Sequence, residues 1–167
     1  MFRLRANDDE LFEVEGSLLK ESKVLTSILE MNLTLEDEIP LTNIDGPTFR
    51  IVLDFFKLFV DDSSYEPPFH AACIKPSTFF KQEAIDLLTT YTTYGETMAA
   101  IASASSYLDS PRLMDYTAYV IATMAKDADL ETLQIFFDVY GAGHDSDNSS
   151  EDSEVNGNEE AGESSQT

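Results

Sequence analysis

Residues 39–59 read IPLTNIDGPTFRIVLDFFKLF, and the stretch changes character in its middle. Ile39-Pro40-Leu41 is short and apolar, and its proline suits a sheet edge because it has no amide hydrogen to offer a neighbouring strand. Asp45-Gly46-Pro47 is a helix start, since proline in the first turn loses no needed hydrogen bond and its φ is already helical. Phe49, Val52, Leu53, Phe56 and Phe59 or Val60 then follow at the i, i+3, i+4, i+7 spacing of one helical face, which predicts a helix to about Phe59.

On the N-terminal side, Phe2, Leu4 and Ala6 alternate with Arg3 and Arg5, and Phe12 and Val14 alternate with Glu13 and Glu15. Asn7-Asp8-Asp9 lies between them, so a short hairpin with one buried face is predicted. Ser22 precedes Val24, Leu25, Ile28 and Leu29, a short amphipathic helix with the serine as N-cap. On the C-terminal side, residues 61–77 read as loop, with three prolines and the single cysteine, Cys73. Phe80, Ala84, Leu87 and Leu88 restore helical spacing, and Gly95 separates them from a helix over about 96–108. Ser110-Pro111 repeats the cap-then-proline device, and Leu113, Met114, Thr117, Val120, Ile121 and Met124 draw a stripe to about Lys126. Asp129 caps a last short helix with Leu130, Leu133, Phe136 and Phe137 on its apolar face. Strands come first and helices after, the order of an α+β fold.

Charge divides the chain. Of its 167 residues, 32 are acidic and 10 are Lys or Arg, for a formal charge of −22. Residues 141–167 hold eight of the acids and no base, leaving 24 acids and 10 bases, or −14, on residues 1–140. The tail has too few apolar side chains to offset chain entropy and is expected to be disordered. Such a surface repels phosphate backbones, whose affinity for proteins comes largely from Lys and Arg, so no nucleic-acid partner is expected. No apolar run approaches the roughly 20 residues that cross a bilayer, and Met1-Phe2-Arg3-Leu4-Arg5 leads into acids with no signal-like stretch. These features predict a soluble protein of cytoplasm and nucleus, without a membrane partner.

No residue constellation commits the chain to catalysis, and no cofactor or metal is implied. The two histidines, His70 and His144, fall in a proline-flanked loop and in the tail, and there is no GxxxxGK[ST] or GxGxxG phosphate loop. Cys73 reads as an inert thiol. Asp8-Asp9 and Asp61-Asp62 lack the alternating ligand spacing of a calcium loop. Ser149, with Asp152 three residues on, fits the pattern of acidophilic kinases, against an unmodified solubilising tail. A binding surface remains. Met114, Ala118 and Ile121, followed by Phe136, Phe137 and Val139, either close the core or form a partner site.

In order, Glu10-Leu-Phe-Glu-Val14, Leu19-Lys-Glu-Ser22 with Ile28-Leu29-Glu30, Ile39-Pro-Leu-Thr-Asn-Ile44, Tyr107-Leu-Asp109 with Leu113-Met-Asp115, and Ala122-Thr-Met-Ala-Lys126 leading to Phe137-Asp-Val139 resemble the S-phase kinase-associated protein one family. That family links F-box proteins to the cullin scaffold of SCF ubiquitin ligases. The resemblance is colinear over about residues 2–140, with a divergent middle from about 57 to 94. It implies a BTB/POZ-like domain over 1–109, a small sheet packed with helices. C-terminal helices of F-box-binding type over 110–140 and the acidic tail over 141–167 follow.

By position, it implies F-box contacts at Met114, Ala118, Ile121, Leu133, Phe137 and Val139 and cullin contacts at Ser106 and Tyr107. It also implies a non-enzymatic adaptor, with a weak homodimer through the BTB face as a further expectation. Two departures stand out. Ser106 replaces the asparagine of the family's Asn-Tyr pair, and the acidic tail stands where the family has its last helix. The chain has no Trp at all. These departures imply the alternative: a BTB-type structural subunit of a non-ubiquitin assembly, for example kinetochore-like, that keeps F-box binding and has lost cullin binding. A third reading is a binder of basic proteins through the tail.

Overall fold

The computed structural model describes residues 1–31, 38–67, 80–93 and 95–134. Cys73, His70, Phe137, Val139, His144, Ser149 and the whole of residues 141–167 lie outside them, as does the expectation of a disordered tail. The described part is α+β. Strands β1 (Phe2–Ala6) and β2 (Leu11–Val14), helices α1 (Gly16–Leu19) and α2 (Lys23–Glu30), and strand β3 (Glu38–Leu41) precede helix α3 (Gly46–Lys57). Helices α4 (Gln82–Thr89), α5 (Gly95–Tyr107) and α6 (Pro111–Asp127) complete it.

The hairpin forms as expected, and β1 becomes the centre of a mixed sheet of order β2-β1-β3. β2 pairs with β1 antiparallel, with Phe2 opposite Val14 and Leu4 opposite Phe12. β3 pairs with it parallel, and Arg5 sits opposite Pro40. The proline is therefore at an edge, where its missing N–H costs no ladder bond. Arg5 fixes the register from the side chain as well, its Nη2 lying 2.5 Å from Glu38 Oε2.

Local capping is where residue type and geometry agree most closely. Leu25 N donates to Ser22 Oγ at 3.1 Å, Thr48 N to Asp45 Oδ1 at 2.7 Å, and Thr132 N to Asp129 Oδ1 at 2.8 Å. Each satisfies one of the amides a helix start leaves without a partner. Ser110 differs. It precedes α6 as predicted, but its side chain makes no capping bond and its Oγ is buried without a partner. Phe80 lies ahead of α4 and not within it, Gly95 is the first residue of α5 and not a separator, and α1 is a single turn that no periodicity announces.

The core is built around α3, whose Phe49, Val52, Phe55 and Phe56 are fully buried together with Leu4, Leu25, Leu88, Met98, Ile101, Leu108 and Leu113. At one end stands an aromatic cluster centred on Tyr116 of α6. Its ring is 5.2 Å from Phe55, 5.4 Å from Phe59 and 4.4 Å from Phe80, all edge-on. Edge-to-face pairs add about 0.5–1.5 kcal/mol each beyond area burial. The Tyr116 hydroxyl accepts a 2.7 Å bond from Lys81 N, so one side chain ties α6 to α3 and to the start of α4.

One turn before Tyr116, Arg112 is almost wholly buried. Its Nε lies 2.9 Å from Glu21 Oε2, with side-chain exposures of 7% and 5%. The contact is an ion pair and not a well-directed hydrogen bond. Nη1 reaches Asp62 Oδ2 at 3.2 Å, Nη2 donates to Ser63 O at 2.8 Å, and the guanidinium stacks 4.3 Å from the Phe59 centroid. Burial pushes the Glu21 carboxyl above its ordinary value, with Arg112 opposing. Asp62 is held below its ordinary value, chiefly by a hydrogen bond from Lys81.

Removing one partner of a buried pair costs about 3–5 kcal/mol, whereas replacing both by apolar side chains is near neutral. Arg112→Ala is expected to lower the urea midpoint strongly, and Arg112→Met with Glu21→Leu to recover most of the loss. The penalty of Arg112→Ala has a sign in pH. Glu21, its carboxyl raised further without the guanidinium, contributes stability that is complete below its ordinary value of 4.5 and lost as pH rises through the raised one. Denaturation at pH 4.5 and pH 7.5 should show the larger deficit at the higher pH.

Candidate partner-binding surface

Helix α5 ends in a turn that the sequence Tyr107-Leu108-Asp109-Ser110 determines. Asp109 adopts φ 44°, the left-handed conformation that follows many helices. Ser110 N donates to Ser105 O at 3.0 Å and Asp109 N to Ser106 O at 3.1 Å, the paired bonds of a Schellman ending. The turn is bolted to α2. Ser22 Oγ donates to Leu108 O at 2.6 Å, and Lys23 N to Asp109 O at 3.2 Å. Ser22 therefore caps its own helix and holds the end of α5 with the same hydroxyl.

This turn presents Ser106 and Tyr107. Ser106 is exposed, and its side chain makes no hydrogen bond among the described residues. Tyr107 is half-buried, with its hydroxyl 3.4 Å from Thr42 Oγ1 just after β3. The pair sits on a fixed rim between the end of α5 and the β3–α3 turn.

Beyond the turn, α6 divides its circumference. Arg112, Leu113, Tyr116, Thr117 and Val120 are buried. Met114 is 43% exposed, Ala118 is exposed and Ile121 is half-buried. At 100° per residue these three share one flank, so the apolar stripe read from sequence is two faces, one spent on the core and one not. Tyr116, missing from the predicted stripe, carries the inner face of the helix into the aromatic cluster. Leu130 is 72% exposed and Leu133 half-buried in the helical turn that starts at Leu130, directly after the Asp129 cap. Met114, Ala118 and Ile121 thus come together on α6, and Leu133 lies on the next element. Phe137 and Val139 cannot be placed with them, since both fall outside the described residues.

The other flank of α6 forms a groove with α4, about 570 Å³ in volume. Ile85, Tyr119, Val120 and Met124 supply its apolar lining, and Thr89, Thr123 and Thr132 supply hydroxyls. Sequence reading passed over it because threonines at irregular spacing carry no periodic signal. A polar depression on a third side is lined by residues 62–66 and Arg112. There Tyr65 donates a 2.7 Å bond to Asp115 Oδ2, and burial followed by that carboxylate pushes the phenol well above its ordinary range. Among the described residues no three His, Cys, Asp or Glu side chains are grouped to hold a metal, and no helix is long and apolar enough to cross a membrane.

Residues 1–61 match the Skp1 family, tetramerisation domain. Among curated proteins the chain is similar to SKP1-like protein 18 of Arabidopsis thaliana, 24% identical over 81% of this chain and 82% of the relative. It is also similar to SKP1-like protein 14 and SKP1-like protein 16 of the same organism, each 25% identical over 81% of this chain and over 81% and 82% of the relative.

The flank assignment has a stability signature. Met114→Asp, on the exposed side near the helix start, should change unfolding free energy by less than about 1 kcal/mol. Tyr116→Ala, two residues on, should cost about 3–5 kcal/mol, both read from chemical denaturation.

Proposed function

We propose that the chain, which the family match and the relatives support as a divergent member of the Skp1 family, is a non-enzymatic adaptor of an SCF-type E3 ubiquitin ligase. An F-box protein docks on Met114, Ala118, Ile121 and Leu133, continued by Phe137 and Val139. A cullin scaffold docks at the rim carrying Ser106 and Tyr107. The chain holds its partners and leaves chemistry to them, in cytoplasm and nucleus.

The carrying observation is that α6 completes the core with one face and leaves an apolar flank over. Tyr116, Leu113 and Val120 are buried, yet Met114 keeps 43% of its surface in solvent. An apolar helix flank beside a second amphipathic turn suits a helical partner whose own apolar face is laid along it. The gain comes from a few central side chains and not from the whole area.

A second reading has a specific observation behind it. Ser106 is exposed and makes no side-chain hydrogen bond among the described residues, so where the resemblance expects an amide able to donate and accept, only a hydroxyl is offered. On that reading the chain keeps its F-box partner, loses the cullin and serves as a structural subunit of another assembly.

Affinity purification of the full chain separates the two. The adaptor reading expects an F-box protein and a cullin together. Met114→Asp should lose the F-box protein and keep the cullin, while Tyr107→Ala loses the cullin alone. Recovery of the F-box protein without a cullin, restored by Ser106→Asn, identifies the second reading. Recovery of neither from a folded chain contradicts both.

A further inference from the structure

Acid three residues after a hydroxyl recurs in the described body, at Ser27 with Glu30, Thr42 with Asp45, Ser63 with Glu66, Thr93 with Glu96 and Ser106 with Asp109. In sequence the five are alike. In the fold they are not. Ser27 and Ser106 stand inside α2 and α5, where their amides belong to helical ladders. Asp45 already accepts from Thr48 N at 2.7 Å, and Thr42 contacts Tyr107. Glu96 lies in the first turn of α5.

Thr42 and Thr93 are exposed in turns, but Ser63 is the one serine of the five exposed outside a helix, and it alone has two acids, Asp61 and Asp62, directly before it as well as Glu66 after it. Glu66 is exposed and takes part in no hydrogen bond or ion pair among the described residues, so its carboxylate is available to be read. From Ser63 to Glu66 no backbone amide donates a hydrogen bond among those residues, and neither serine hydroxyl is bonded. A kinase cleft that binds its substrate as an extended strand needs such unpaired amides.

The segment is also held at both ends. Lys20 Nζ donates to Asp62 O at 2.9 Å, Arg112 Nη2 to Ser63 O at 2.8 Å, and Tyr65 to Asp115 at 2.7 Å. These bonds use carbonyls and flanking side chains and leave the Ser63 hydroxyl outward. Tyr65, its hydroxyl engaged and half-buried, is excluded as an acceptor of phosphate. Ser64 has Pro67 and not an acid at the third position.

The geometry points to Ser63 as a phosphorylation site for an acidophilic serine kinase. Ser63 Oγ attacks the γ-phosphorus of ATP and the new Oγ–P bond replaces the bond to the β–γ bridging oxygen. The hydroxyl proton passes to the kinase base and ADP leaves. The product carries about −1.5 to −2 charges beside Lys20, Lys81 and Arg112, the cations that anchor this segment.

The test treats the full-length chain with a purified acidophilic serine kinase and magnesium ATP, followed by tryptic mapping by mass spectrometry. Ser149, with Asp152 three residues on, reports that the kinase is active. One phosphate is expected on the Leu58–Lys81 fragment, at Ser63 and not Ser64, lost in Ser63→Ala and reduced in Glu66→Ala. Synthetic peptides spanning residues 20–31 and 58–67 should both be modified, whereas in the folded chain Ser27 stays unmodified. Modification of Ser27 in the folded chain to the same extent as Ser63 overturns the proposal. So does an unmodified Leu58–Lys81 fragment in a sample labelled at Ser149.

Discussion

Arg112 is the charge around which the described structure is arranged. Its guanidinium meets the carboxylate of Glu21 from the α1–α2 connection, Asp62 and Ser63 from the segment after α3, and the ring of Phe59. Two parts of the chain far apart in sequence, at residue 21 and at residues 59–63, therefore meet on one planar cation supplied by a third, and its rigid fork suits several acceptors at once. A buried ion pair is a weak source of net stability, because desolvation cancels much of the attraction. Its effect here is on arrangement: an Arg112 turned to any other side would leave Glu21 buried without a counter-charge.

That constraint sets the rotation of α6. With Arg112 inward, Tyr116 one turn later enters the aromatic cluster and Leu113, Thr117 and Val120 follow into the core. Met114, Ala118 and Ile121 are then necessarily on the outer flank, because a helix cannot present both 112/116 and 114/118 to the same neighbour. The Schellman ending of α5, pinned by Ser22, fixes where α6 begins. Core and partner surface are two consequences of one helical phase.

Much of this was legible in the sequence, and the legible part is local. Ser22, Asp45 and Asp129 announce their helices because the capped amide is three residues away. The hairpin and edge proline follow from alternation and a missing donor. Arg112 was not legible, since an arginine in an acidic chain reads as surface and its partners are remote in sequence. The stripe on α6 was ambiguous for a related reason. Apolar residues lie on both flanks, and Arg112 together with Tyr116, whose partners are Phe55, Phe59 and Phe80, decides which is inside. Ser110 resembles Ser22 in sequence, yet its hydroxyl is buried without a partner, a difference set by packing and not by the cap motif.

The central claim is that α6 offers its Met114 side to a helical partner and keeps its other flank for the groove with α4. A photo-crosslinking residue at Ala118, compared with one at Thr123, tests this most directly in the full chain incubated with an F-box protein. Both positions are exposed and one helix carries them on different flanks. The account predicts a crosslink to the F-box segment from position 118 and none from position 123. Capture from position 123 with none from 118 would contradict it.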